Sequence, residues 1–115
     1  MPLRALTRFL SEAGGAVVAE RHPGYAELHV NGSTIVLQSD DALRGHPWHD
    51  ALMREGVARG IGTEIHLRVA DLHTSYRRAA GLVCLVITPP YEAEYSIECQ
   101  VMAPDGYLVT MWQGR

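Results

Sequence analysis

Three ionisable side chains occupy alternate positions in the stretch TEIHLRV, residues 63–69, namely Glu64, His66 and Arg68. Successive side chains along a strand point to opposite faces, so these three would share one face and the apolar residues between them the other. A carboxylate, an imidazole and a guanidinium on one surface can move protons, bind a metal ion or hold the polar groups of a ligand. The alternative is an ordinary strand face with charged pairs across neighbouring strands.

The length and composition of the chain are those of one globular domain, 1–115. The chain is 47% apolar with a net charge of -3, and its longest apolar run, 79–87, is far shorter than a membrane-spanning helix. All ten basic residues are arginine, which is typical of a GC-rich bacterial genome, and they form no cluster of the kind that binds nucleic acid. We therefore expect a cytoplasmic bacterial protein that binds neither membrane nor nucleic acid.

The first half of the chain is predicted to contain one helix and three strands. Apolar spacing places the helix at 3–13 and the strands at 16–21, 25–30 and 33–38. The pair Asn31-Gly32 between the last two strands is a strong signal for a hairpin.

The second half is predicted to run strand, helix, strand, strand, strand. The helix follows the strand at 63–69, begins at Asp71 as its N-cap and ends at Gly81. Three further strands are expected at 82–87, 95–102 and 107–112, with a corner at Pro89-Pro90 after the first of them. Cys84 and Cys99 lie in separate strand-like runs without a C-x-x-C spacing, so both are expected to be buried thiols.

The two halves match each other at an offset of 67 residues, with FLSEAGG from Phe9 aligned to YRRAAGL from Tyr76. Further along, YAELHVNGSTIVL aligns with SIECQVMAPDGYLVTM once the longer turn is allowed for. The chain is thus predicted to be an internal repeat of a β-α-β-β-β unit. The units span about 1–38 and 62–113, and residues 39–61 form a connector with a short helix at 49–60.

The segments EIHLRVADLHTSYRRAAG and ECQVMAPDGYLVTM, together with this repeat, resemble the vicinal oxygen chelate superfamily of glyoxalases, bleomycin resistance proteins and extradiol dioxygenases. The resemblance covers nearly the whole chain and is more specific in the second half. It implies an α+β fold in which two β-α-β-β-β units form a cup-shaped mixed sheet, usually in a dimer, with the ligand or metal in the cup.

The first unit departs from this pattern, because at an offset of 67 its first strand would fall before Met1. Either the natural chain starts upstream of Met1, or the first unit lacks its first strand, which leaves an open sheet edge. Burial of that edge in a homodimer is the simplest remedy, and a partner chain could then supply the strand.

No metal and no other cofactor is expected in the cup. In metal-dependent members that this chain resembles, the ligands are a His or Glu at the start of each unit's first strand and a Glu in the middle of each unit's last strand. The first of these positions does not exist here, and the others carry Val36, Glu64 and Thr110. Only Glu64 is a strong ligand, and a divalent ion needs several converging donors.

Seven residues are candidates for the ligand pocket. Thr110 and Trp112 alternate onto one face of the last strand, as His29 does in the first unit, while Trp48 lies in the connector. In resistance-type members that the chain resembles, aromatic side chains stack on flat drug rings, which suits Trp112 and, more weakly, Trp48. The candidates are Glu64, His66, Arg68, Thr110, Trp112, Trp48 and His29. Which face Glu98 and Gln100 occupy is left open by the sequence.

These features favour a small-molecule-binding protein of the glyoxalase and bleomycin-resistance type that works without metal and sequesters a planar, drug-like compound, as in antibiotic resistance. The enzymatic alternative is a metal-dependent lyase, isomerase or dioxygenase of the same superfamily, with Glu64 or His66 as general base. A third reading is an interaction module that keeps the fold without the pocket.

Overall fold

The computed structural model describes residues 2–39, 62–82 and 85–115, together with Pro47 and Arg54. The predicted helix at 49–60 lies outside these residues apart from Arg54, and so do Trp48 and Cys84.

The first unit consists of one helix packed on a three-stranded antiparallel sheet. Helix α1 buries an apolar stripe of Leu6, Phe9 and Leu10, spaced three and four residues apart, against one face of the sheet. The elements are α1 Pro2–Glu12, β1 Val17–His22, β2 Tyr25–Val30 and β3 Ser33–Gln38, with the strands in the order β1-β2-β3. The predicted elements of this half are therefore confirmed to within one residue at each end.

The β2–β3 hairpin turns at Asn31 and Gly32, as predicted. Both residues have positive φ angles, 49° and 80°, and the flanking residues Val30 and Ser33 are paired directly. A two-residue turn with two positive φ angles matches the twist of antiparallel strands, and Asn and Gly adopt that conformation at least cost. The turn brings the end of β2 beside the second unit, where Asn31 Nδ2 donates a hydrogen bond of 2.6 Å to the Arg68 carbonyl.

The second unit is a four-stranded mixed sheet covered by one helix. The strands lie in the order β4-β7-β6-β5, with β4 parallel to β7 and the other pairs antiparallel. The elements are β4 Glu64–Arg68, α2 Leu72–Ala80, β5 Leu85–Glu92, β6 Ser96–Met102, a 3₁₀ turn at Pro104–Gly106 and β7 Leu108–Gly114. The strand-helix-strand-strand-strand order is confirmed.

Helix α2 begins where its sequence predicted. The Asp71 side chain accepts a hydrogen bond of 3.2 Å from the Thr74 amide, which gives one of the unpaired N–H groups of the first turn a partner. Hydrogen bonds from the backbone and the side chain of Thr74 hold the pKa of Asp71 below its ordinary value. Only three residues separate the end of β4 at Arg68 from the start of α2 at Leu72, so the helix begins close to the end of the strand.

The path of β5 differs from the sequence prediction. A corner was expected at Pro89-Pro90, but the strand runs through both prolines to Glu92, with register shifts against β6 on the way. The physical reason is twofold: β5 is an edge strand among the described strands, and its pairing with β6 passes from Thr88 directly to Tyr91, so neither proline is needed as a donor.

The two units share one apolar core. Gly14, at the end of α1, is so close to the second unit that an added Cβ would lie 2.8 Å from Leu67 Cδ1. Cys99 is buried in the core, as expected of an inert thiol. Strands β3 and β4 are not hydrogen-bonded to each other, so the described strands form two sheets and not one continuous sheet. The largest fully buried side chains are Phe9, Leu10, Leu28, Leu72, Met111, Val101, Val109, Thr110 and Cys99.

Neither of the helices in the described ranges is long and apolar enough to cross a bilayer.

Candidate functional site

Strands β4 and β7 bring the predicted site residues together. Their parallel register pairs Glu64 with Leu108, His66 with Thr110 and Arg68 with Trp112. Directly paired residues point to the same side of a sheet, so the ionisable face of β4 and the polar face of β7 form one surface. The opposite surface carries the apolar core.

Glu64 is the centre of the first polar cluster on this surface. Its Oε2 atom accepts a hydrogen bond of 2.8 Å from the Thr110 hydroxyl and lies 2.7 Å from His66 Nε2. These two contacts, that of Thr110 first, hold the pKa of Glu64 below its ordinary value, because hydrogen bonds to a carboxylate stabilise its charged form. Glu64 is therefore ionised at neutral pH.

Thr110 links this cluster to the middle of the sheet. Its side chain is only 2% exposed, and its hydroxyl accepts a hydrogen bond of 3.2 Å from Gln100 Nε2 while it donates to Glu64. Gln100 on β6 therefore faces the same side as Thr110, which settles the orientation that the sequence left open. The result is a chain of hydrogen bonds across three strands, which fixes the position of the Glu64 carboxylate.

Glu98 is the centre of a second cluster on the same surface, beside Trp112 in the β6–β7 register. Its two carboxylate oxygens accept hydrogen bonds from the Ser96 hydroxyl, at 2.6 Å, and the Tyr91 hydroxyl, at 2.8 Å. These bonds lower the pKa of Glu98, and the bond to Glu98 raises the pKa of Tyr91. Neither Tyr91 nor Ser96 was predicted as a site residue: the register between β5 and β6 brings Tyr91 to Glu98, whereas Ser96 precedes Glu98 by two residues on β6 and alternation along that strand could have indicated it.

A cleft of about 720 Å³ lies where this surface meets the β2–β3 hairpin. One wall is formed by the hairpin and the other by β4, with polar side chains of the second sheet at its base. The first wall consists of Val30, Asn31, Ser33 and Ile35, and the remainder of Ile65, His66, Leu67, Arg68, Glu98 and Trp112. A volume of this size lies in the range of small-molecule pockets, which hold ~300 to 1,000 Å³.

The three-stranded sheet repeats part of this pattern. Glu27 accepts a hydrogen bond of 3.3 Å from the Tyr25 hydroxyl and lies 3.0 Å from His29 Nε2. In the internal repeat, Tyr25 and Glu27 occupy the positions of Ser96 and Glu98. In each unit, therefore, a carboxylate accepts a hydrogen bond from the hydroxyl of the residue two positions earlier. His29 is on this sheet and does not line the cleft.

The candidate residues from the sequence thus fall into three groups. His66, Arg68 and Trp112 line the cleft, while Glu64 and Thr110 do not and are connected to it through the contact of Glu64 with His66. His29 belongs to the other sheet, and Trp48 lies outside the described residues.

The donor set does not fit the metal site that the resemblance implies. Val36 has no donor atom, and the Thr110 hydroxyl already donates to Glu64. Within 2–39, 62–82 and 85–115, no three His, Cys, Asp or Glu side chains are grouped so that they could hold a metal ion. What the cleft does offer is an indole face, a guanidinium, an imidazole and a fixed carboxylate beside apolar walls.

The sequence matches no protein-family model and no curated protein. Solved structures are similar, among them a glyoxalase/bleomycin resistance protein/dioxygenase family enzyme from Burkholderia phytofirmans, 18% identical, with a TM-score of 0.74 over 98% of this chain and 91% of that chain. A glyoxalase-related enzyme from Fulvimarina pelagi is 17% identical, with a TM-score of 0.67 over 97% of this chain and 80% of that chain. A glyoxalase/bleomycin resistance protein/dioxygenase from Nocardioides is 18% identical, with a TM-score of 0.66 over 97% of this chain and 76% of that chain.

At these identities the likeness establishes the architecture, and it covers both units. The α+β content, the helix with three strands in the first unit and the mixed four-stranded sheet with its helix in the second are the features that the sequence resemblance implied. The chain therefore has the fold of the glyoxalase/bleomycin resistance/dioxygenase proteins.

Proposed function

We propose that this protein is a metal-independent member of the glyoxalase/bleomycin resistance family that binds a flat, partly aromatic small molecule in the cleft. The observation that carries the proposal is the composition of the cleft, in which Trp112 lies between apolar walls and fixed polar groups. An aromatic side chain beside a few oriented polar groups is typical of sites for planar ligands. Sequestration of such a compound is the activity that this arrangement supports best.

The state of the carboxylates favours binding over proton transfer. A general base works best when its pKa lies near the working pH, which requires the pKa of a carboxyl to be raised. Here hydrogen bonds lower the pKa of both Glu64 and Glu98. Both groups are therefore weak bases with stable negative charges, suited to orienting a ligand.

A screen of planar compounds tests the proposal. Binding is measured by thermal shift and by fluorescence quenching in the Trp48→Phe background, so that Trp112 is the one remaining tryptophan of the chain. We expect at least one class of flat ligand to quench Trp112 and to raise the melting temperature with increasing concentration. Ligands that bind without any change in Trp112 emission would contradict the proposed site.

Metal analysis separates this function from the enzymatic alternative. We expect the purified protein to contain less than one equivalent of zinc, iron, manganese or nickel per chain, and its melting temperature to be the same with and without a chelator. A stoichiometric metal whose removal lowers the melting temperature would overturn metal independence and favour a lyase, isomerase or dioxygenase.

A homodimer is part of the same proposal. Among the described strands, β3 pairs only with β2 and β4 only with β7, so each has an edge that a second chain could cover. We expect a dimer mass by light scattering at micromolar concentration, and a monomer mass at that concentration would exclude it.

A further inference from the structure

Three side chains of the cleft form a row across neighbouring strands. Arg68 on β4 is paired with Trp112 on β7, and Trp112 is paired with Glu98 on β6. All three line the same cavity. The indole therefore lies between a cation on one side and an anion on the other, and we call this arrangement the Arg68–Trp112–Glu98 row.

The anionic end of the row is fixed and has acceptor capacity to spare. Each oxygen of the Glu98 carboxylate accepts one hydrogen bond, Oε2 from the Ser96 hydroxyl and Oε1 from the Tyr91 hydroxyl. A carboxylate oxygen can accept two hydrogen bonds, so each oxygen can take one more donor from a ligand. The hydroxyls hold the carboxylate in place, which reduces the entropy that a ligand must overcome when it binds there.

The cationic end has no partner among residues 2–39, 62–82 and 85–115. Within the described residues, the guanidinium of Arg68 forms no ion pair or hydrogen bond, because Glu64 is engaged by Thr110 and His66. The contact that Asn31 makes with Arg68 is to the backbone carbonyl and leaves the side chain unused. A guanidinium has five N–H donors in a planar fork, no described side chain engages those of Arg68, and their geometry matches a carboxylate or a similar planar anion.

The length of the row sets the size of the ligand. Neighbouring strands are about 4.8 Å apart, so the backbones of Arg68 and Glu98, two strands apart, are separated by roughly 10 Å. Two fused six-membered rings with a substituent at each end span a comparable length. Such a ring system can lie on Trp112 while its two ends reach the charged side chains.

We propose that the ligand is a planar, amphoteric aromatic compound, with an acidic group that binds Arg68 and an N–H donor that binds Glu98 while the rings stack on Trp112. This inference rests on the proposed function and adds the chemical class of the ligand to it. It predicts that charge at the two ends of a ligand, and not only its flatness, determines affinity.

Four naphthalenes serve as probes: 6-amino-2-naphthoic acid, 2-naphthoic acid, 2-naphthamide and 2-naphthylamine. Their affinities for the full chain are measured by isothermal titration calorimetry. We expect the acid to bind about tenfold more tightly than the amide, because a charge-assisted contact with Arg68 replaces a neutral one. The amino acid is expected to bind more tightly than either compound that carries only one of its two groups.

Variants assign each preference to its residue. Arg68→Gln is expected to abolish the difference in affinity between the acid and the amide, while the affinity for the amide changes by no more than about twofold. Glu98→Gln is expected to abolish the gain in affinity that the amino group gives. Arg21→Gln is the matched control, because it removes an exposed strand arginine that does not line the cleft.

Equal binding of the acid and the amide, or an acid preference that survives Arg68→Gln, would overturn the inference. An equal loss in Arg21→Gln would also overturn it, because net charge and not a local contact would then be the cause. If the probes bind equally and binding depends on Trp112, the proposed function stands and only the ligand class is wrong. If none of the four binds, the ligand class is wrong, and the wider planar-compound screen decides the function.

Discussion

The Thr110 hydroxyl donates to Glu64 Oε2 at 2.8 Å, so a buried side chain of β7 holds the carboxylate of the neighbouring parallel strand. Thr110 also accepts a hydrogen bond from Gln100, and both partners lose a contact if the hydroxyl is removed. Thr110 is thus the residue that connects the core of the sheet to the polar base of the cleft.

Thr110→Val tests this role at nearly constant volume. We expect a loss of about 1 kcal/mol in the free energy of unfolding, because the substitution removes the two hydrogen bonds of the buried Thr110 hydroxyl while water can still reach Glu64. The measurement is urea denaturation. The control is Thr34→Val, on an exposed position of β3, where a change within about 0.5 kcal/mol is expected. Equal losses in the two variants would show that the hydrogen bonds of Thr110 contribute nothing specific.

The lowered pKa values of Glu64 and Glu98 predict a loss of stability in acid. A carboxyl whose pKa is lowered in the folded state binds protons more strongly in the unfolded chain. Its contribution to the free energy of unfolding is therefore present above the ordinary pKa of 4.5 and is lost as the pH falls through the folded-state pKa. We expect the melting temperature to fall as the pH drops below about 4.5, and to fall less in the double variant Glu64→Gln, Glu98→Gln.

The control for the acid experiment is Glu94→Gln, which removes an exposed carboxylate that has no hydrogen bond among the described residues. Its pH dependence is expected to follow that of the unmodified protein. If the control flattens the curve as much as the double variant does, the loss in acid reflects overall charge and not the two clusters.

Trp112→Leu tests whether the indole binds ligand or only packs. We expect at least about a tenfold loss of affinity for any planar ligand, since both stacking and contact area are removed. Melting temperature and affinity are measured on the same samples, with Trp48→Phe as the comparison. A large loss of stability with unchanged affinity would make Trp112 a packing residue and the proposed pocket wrong.

Cys99 is expected to be unreactive in the folded protein. Burial raises the pKa of its thiol to about 11, and the side chain is fully buried among Val101, Met111 and other apolar residues. In a Cys84→Ser variant, alkylation by iodoacetamide at about pH 8 is expected only at the rate of unfolding, with full labelling in denaturant. Rapid alkylation under native conditions would contradict the placement of this thiol.

Local signals in the sequence predicted most of the fold. Asn31-Gly32 predicted the hairpin and Asp71 the start of α2, because each depends on the conformation of a few neighbouring residues. The corner predicted at Pro89-Pro90 was wrong, because that prediction also used only the neighbouring residues. Two prolines favour a corner locally, and only the assembled sheet shows that they lie on an edge strand where their missing N–H groups cost little.

The candidate site was predicted in part. Alternation along β4 and β7 identified the shared face of Glu64 and Thr110, since alternation is a property of a single strand. The second cluster was missed because Tyr91 reaches Glu98 only through the irregular register of β5 against β6. The spacing of residues within one strand does not determine the register between strands, because bulges and the packing of the whole sheet set that register.

The prolines of β5 also limit how the protein can associate with itself. This edge strand exposes Leu85, Ile87 and Tyr91, a combination that in most proteins invites edge-to-edge addition and growth of fibrils. Pro89 and Pro90 offer no N–H to an incoming strand, so this side of the four-stranded sheet is a poor template for another chain. Strand β4, at the opposite edge of this sheet, contains no proline, and its residues line the cleft, so that edge keeps the N–H groups that β5 has lost.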